Sequence, residues 1–91
     1  MKSYFLEHVS SIAAAESALR TELPGQERPW LLLAAEGDVI AYFNVAPDLD
    51  GEPNLNIQAD ISGRHFNEDA PVIGVLQRLR ASIGGIVTND A

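Results

Sequence analysis

Three acids alternate with other residues in one short stretch, Asp48, Asp50 and Glu52, with Gly51 among them. Carboxylates spaced this way can hold a hard cation, and a glycine permits the sharp turn such loops need. The calcium-loop pattern requires glycine at the sixth position and glutamate at the twelfth. Counting from Asp48 brings Gly51 too early and puts Ala59 twelfth; taking Gly51 as sixth puts Ala46 first and Ile57 twelfth. Neither register gives a calcium site, and a solvated acidic loop is expected instead. His8 and His65 are the only imidazoles, and no metal-ligand spacing joins them. His65 stands in Ser62-Gly63-Arg64-His65-Phe66-Asn67, ahead of a helix. Helix N-termini attract anions, but Glu68 and Asp69 already occupy this one. His65 therefore reads as a surface histidine, and Arg64 as the partner of a local carboxylate. Ser3, Ser10, Ser11, Ser17, Ser62 and Ser82 form no nucleophile elbow. No glycine-rich phosphate loop occurs. No residue is assigned as catalytic, cofactor-binding or metal-ligating, no cofactor is expected, and a non-enzymatic role is favoured over an enzyme.

The rest of the composition bounds the answer. The chain has 91 residues, 46% of them hydrophobic, with thirteen Asp/Glu against six Lys/Arg. That length fits one domain spanning 1–91 and has no room for two. The absence of cysteine excludes a disulfide scaffold and a thiolate nucleophile. A net charge of −7 disfavours nucleic acid as a partner, because phosphates repel an acidic surface. Charges in Met1-Lys2-Ser3-Tyr4-Phe5-Leu6-Glu7-His8 interrupt any signal-like apolar stretch, and the run 30–35 is too short for a bilayer. A cytoplasmic protein without a membrane partner is expected.

The elements that must position any site follow from periodicity. Residues 4–9 suit a short first strand. Ser10 or Ser11 offers an N-cap to a helix rich in alanine, with Val9, Ile12, Leu19 and Leu23 on its apolar face. Pro24-Gly25 ends that helix. The apolar run 30–35, the turn Glu36-Gly37-Asp38 and the β-branched run 39–45 predict an antiparallel hairpin. Residues 55–61 alternate strictly, with Leu55, Ile57, Ala59 and Ile61 against Asn56, Gln58 and Asp60. Val72, Val75, Leu76, Leu79 and Ile83 make a strong helical stripe, with Asp69 as its cap, Pro71 in the first turn and Gly84-Gly85 as its stop. Ile86-Val87-Thr88 suits a short last strand. The expected fold is α+β, order (β)αβββα(β), a mainly antiparallel sheet of three to five strands with two helices on one face.

Two helices coat one face, yet the hairpin strands are apolar on both sides. Leu31, Leu33, Ile40 and Tyr42 fall on the parity that the helices leave uncovered, beside Asn44, Asn56, Gln58 and Asp60. Strands written this way are usually buried on both faces, and an uncovered apolar patch needs a partner. These eight residues are the interface candidates. A homodimer formed through this face is the favoured solution; the N-terminal segment folding across it is the alternative. A basic protein is a further candidate partner, since Glu36, Asp38, Asp48, Asp50, Glu52 and Asp60 stand with no Lys or Arg between positions 36 and 60.

The stretch Leu32-Leu33-Ala34-Ala35-Glu36-Gly37-Asp38-Val39-Ile40-Ala41-Tyr42-Phe43-Asn44-Val45, followed by the strand and helix of 55–83, resembles the middle of the GCN5-related N-acetyltransferase fold. The resemblance spans 30–83 and implies a strand–turn–strand–loop–strand–helix order. That family's phosphate loop, Arg/Gln-x-x-Gly-x-Gly/Ala, is not matched: after Arg64 comes His65-Phe66-Asn67-Glu68-Asp69. No catalytic residue carries over. Two functions are thus expected to compete: a small acidic self-associating interaction module, and a reduced acetyltransferase-like or other small-ligand-binding domain using 62–67.

Overall fold

A computed structural model describes residues 2–25, 27, 29–47, 55–65 and 67–89. The element order is β1 (Lys2–Val9), α1 (Ile12–Glu22), β2 (Trp30–Leu33), β3 (Val39–Pro47), β4 (Leu55–Ile61), a 3₁₀ turn (Gly63–His65), α2 (Asp69–Ile83) and β5 (Ile86–Asn89). The α+β class and the order βαβββαβ are as the periodicity predicts. All pairings are antiparallel, and the sheet runs β2-β3-β4-β1-β5.

The strictly alternating strand lies in the middle of the sheet. Ile57, Ala59 and Ile61 of β4 are buried, and they pair with Val45, Phe43 and Ala41 of β3 on one side and with Leu6, Tyr4 and Lys2 of β1 on the other. Both helices pack on this face. Ala15, Ala18 and Leu19 of α1 meet Val72, Val75, Leu76 and Leu79 of α2, and Trp30 and Phe43 complete the same core. Burying a side chain of this size contributes roughly 1.5–3 kcal/mol, so the helix stripes and the β4 parity together fix the register: a slip of one residue would expose the whole set.

Local signals explain the boundaries. Ser11 caps α1, its hydroxyl accepting the Ala14 N–H at 3.2 Å. The β2–β3 turn closes with Gly37 N–H to Ala34 O at 2.9 Å and Ala34 N–H to Asp38 O at 2.8 Å. Gly37 takes φ +94°, which a glycine adopts without steric cost. This is the three-residue hairpin loop with a left-handed third residue. Arg78 ties α2 to Glu22 of α1 at 2.6 Å.

Four expectations need correction. Ile12 is not on the buried stripe: it lies in the first turn of α1 and is 55% exposed, and the stripe begins one turn later at Ala15. Asp69 does not cap α2. Glu68 holds the cap position with no side-chain bond, and Asp69 is the first helical residue. Its carboxylate instead accepts hydrogen bonds from Lys2 Nζ, at 3.0 and 3.1 Å, and from the Tyr4 hydroxyl. The N-terminal segment does not fold across the second face. It is a full strand, inserted between β4 and β5, where Leu6 and Val9 are buried. Ile40 does not face the open side as an exposed contact. It is 7% exposed and joins the core. Ser62 N–H bonds to Ile40 O at 2.8 Å and the 3₁₀ turn lies against β3, so the chain itself covers that end of the strand.

Candidate functional site

With both helices on one side, the described residues leave the opposite face of the sheet open. The register defines its rows. Leu31, Tyr42, Asp60 and Ser3 stand side by side across β2, β3, β4 and β1. The next row runs Asn44, Gln58, Phe5 and Thr88 across β3, β4, β1 and β5. Ala46 pairs with Asn56, and Glu7 with Ile86. Of the eight residues singled out from sequence, Leu31, Tyr42, Asn44, Asn56, Gln58 and Asp60 share this face. Leu33 is 52% exposed at the end of β2, beyond a register shift, and Ile40 is buried.

The structure adds Ser3, Phe5, Glu7, Ile86 and Thr88, which sequence reasoning missed. Their signal was the alternation of Ser3, Phe5 and Glu7, readable only once residues 2–9 are placed inside the sheet. The apolar groups are split between the two sides, Leu31 and Tyr42 towards β2, Phe5 and Ile86 towards β5. The middle strand is polar. Tyr42 is 41% and Ile86 54% exposed.

The acids on this face are compensated. Asp60 Oδ1 accepts from Ser3 Oγ at 2.6 Å and from Gln58 Nε2 at 2.9 Å. Glu7 accepts from the Thr88 hydroxyl. A carboxylate held by such donors loses less on leaving water than a bare one. None of these groups forms a nucleophile–base pair.

Elsewhere, Lys2, Tyr4 and Asp69 form a clamp that fastens β1 to the start of α2. The Tyr4 hydroxyl, then the Lys2 ammonium, hold the Asp69 carboxyl below the usual aspartate range. A groove of about 250 Å³ runs between α1 and α2, lined by Ala14, Ser17, Thr21, Leu79, Ser82 and Ile83 among others. The Glu22 carboxylate at its side is taken by Arg78. Glu36 and Asp38 of the hairpin turn approach His65 of the 3₁₀ turn. His65 is not the surface histidine its loop position predicts: its side chain is 15% exposed. The loop carrying Asp48, Asp50 and Glu52, once weighed for calcium, lies outside the described residues.

Among the described residues no helix is long and apolar enough to cross a membrane. No protein-family model, no curated protein and no solved structure matches the chain. The class is therefore given by physical form: an antiparallel sheet coated by two helices on one face and open on the other.

Proposed function

We propose that this chain is a small non-enzymatic interaction module that pairs with a second copy of itself through the open sheet face. The carrying observation is the placement of Leu31, Tyr42, Phe5 and Ile86 on a face that no described element covers. Five strands about 4.8 Å apart, four to nine residues long, present a footprint of roughly 500 Å² in projection. Side-chain relief raises that towards the ~800 Å² per partner of a standard interface. Both edge strands, β2 and β5, have only four residues, which disfavours edge-to-edge growth and leaves the face as the surface for association.

The distribution of groups suits a twofold axis. β4 is the middle strand. An axis running along it sets β2 and β3 of one copy over β5 and β1 of the other. Each row then lies over itself: Tyr42 faces the partner's Ser3, Asn44 faces the partner's Phe5, and the polar β4 rows meet at the centre. A sheet-on-sheet pair of this kind has two aligned, twisted layers.

The test is Tyr42→Asp. Covering the exposed part of Tyr42, on the order of 90 Å², is worth about 2 kcal/mol per copy at ~25 cal/mol/Å². Symmetry doubles this, so the dimer constant should fall about a thousandfold. Ile12→Asp, on the helix side and more exposed than Tyr42, should leave association unchanged. Equal masses for the Tyr42 variant and the parent in sedimentation would overturn the reading.

A further inference from the structure

We infer that Glu36, Asp38 and His65 form a binding site for one divalent first-row transition ion. The three side chains come from two segments far apart in sequence. Glu36 and Asp38 flank Gly37 in the hairpin turn, whose closing bonds from Gly37 and Ala34 hold both acids in place. His65 ends the 3₁₀ turn that leaves β4, and that turn is fastened by His65 N–H to Ser62 O at 2.9 Å and by Ser62 N–H to Ile40 O. One potential donor atom from each of the three lies within 4.8 Å of the others.

The imidazole supplies an independent indication. His65 Nε2 is closed to water and has no hydrogen-bond partner. The nearest carboxylate oxygen in ion-pair range is Asp38 Oδ2 at 3.8 Å, too far for a hydrogen bond. A buried ring nitrogen with no partner is uncommon. Two donors bound at ~2.0–2.2 Å to one ion stand about 3–4 Å apart. The His65–Asp38 separation of 3.8 Å fits that range, and exposed Glu36 brings a third donor atom within 4.8 Å of the other two.

One imidazole and two carboxylates suit zinc or manganese better than the all-oxygen preference of calcium. Three protein ligands leave the remaining coordination positions to water or to a donor from outside, the arrangement of an open site. The 3₁₀ turn that carries His65 is tied to β3, whose first residues follow the hairpin turn, by the Ser62 N–H to Ile40 O bond. This site lies at the hairpin end and is independent of the pairing proposed for the sheet face.

The test is calorimetric titration of chelator-treated full chain with zinc chloride, repeated with cobalt to read its visible absorption. Saturable one-to-one binding is expected, weakened at least about tenfold by His65→Gln and by Asp38→Asn. His8→Gln, at the only other imidazole, should leave it unchanged. No saturation below about 1 mM zinc, or full affinity retained in His65→Gln, would overturn the assignment. The circular dichroism of each variant, matching the parent, shows that lost binding is not lost fold.

Discussion

Gly85 joins α2 to β5 and has no room for a side chain. Its φ is +107°, and a Cβ there would lie 2.7 Å from the Glu7 carbonyl oxygen and 3.0 Å from Leu6 Cδ1. The first is backbone, fixed in the β1–β5 ladder where Glu7 pairs with Ile86. The second belongs to a fully buried side chain. Gly85→Ala therefore suffers backbone strain of about 1–3 kcal/mol and an overpacking cost of about 1–3 kcal/mol. A chain of this length has a total stability of roughly 5–14 kcal/mol, so a loss of ~2–6 kcal/mol is large. Urea unfolding followed through Trp30, the single tryptophan and 1% exposed, should show a midpoint about 2 M or more lower, for a slope near 1 kcal/mol/M. Gly84→Ala separates the two causes. It shares a positive φ, +81°, but a Cβ there meets nothing within 4 Å. With ψ −170° it lies in the glycine-favoured extended region, so it should cost the backbone strain alone, about 1–3 kcal/mol. If the two variants unfold within ~0.5 kcal/mol of each other, the close approach of Gly85 to β1 is not real, and the placement of β5 beside β1 falls with it.

Asp69→Asn tests the β1–α2 clamp. The folded state holds this carboxyl below its ordinary value of about 3.9, so it contributes stability above that value, lost as pH falls through the lower folded one. The parent should be more stable than the variant at neutral pH, with the gap closing from about pH 4 downward in denaturation curves; a gap that is flat with pH would contradict the bonds to Tyr4 and Lys2. Ser11→Ala removes the one side-chain acceptor at the start of α1 and should cost about 1 kcal/mol in the same unfolding assay.

Much of the architecture was legible because β4 and α2 carry unambiguous periods. Alternation over 55–61 and the stripe from Val72 to Leu79 each name one buried face, and they agree on which elements meet. The hairpin was readable from Glu36-Gly37-Asp38 between two apolar runs. Harder to read was what depends on long-range pairing. Phe5 and Thr88 stand in one row only because β1 and β5 are neighbours, 83 residues apart along the chain at that pairing. The same holds for His65, whose loop position suggests solvent until the 3₁₀ turn folds it against the hairpin. Ile40 looked open by parity alone; its burial follows from the turn that packs against β3. Asp69 has the sequence signature of a cap, but two donors on β1 compete for its carboxylate and win.

Pairing of the open sheet face with a second copy makes the mass in solution depend on concentration. Sedimentation equilibrium of the parent chain across concentrations up to about 0.5 mM reads this directly. Two copies of net charge −7 repel, so added salt should strengthen the pairing by screening. Pairing gives a mass rising from 9.8 kDa to twice that value, at lower concentration when salt is raised. A mass that stays at 9.8 kDa across the whole range and at both salt levels would contradict it.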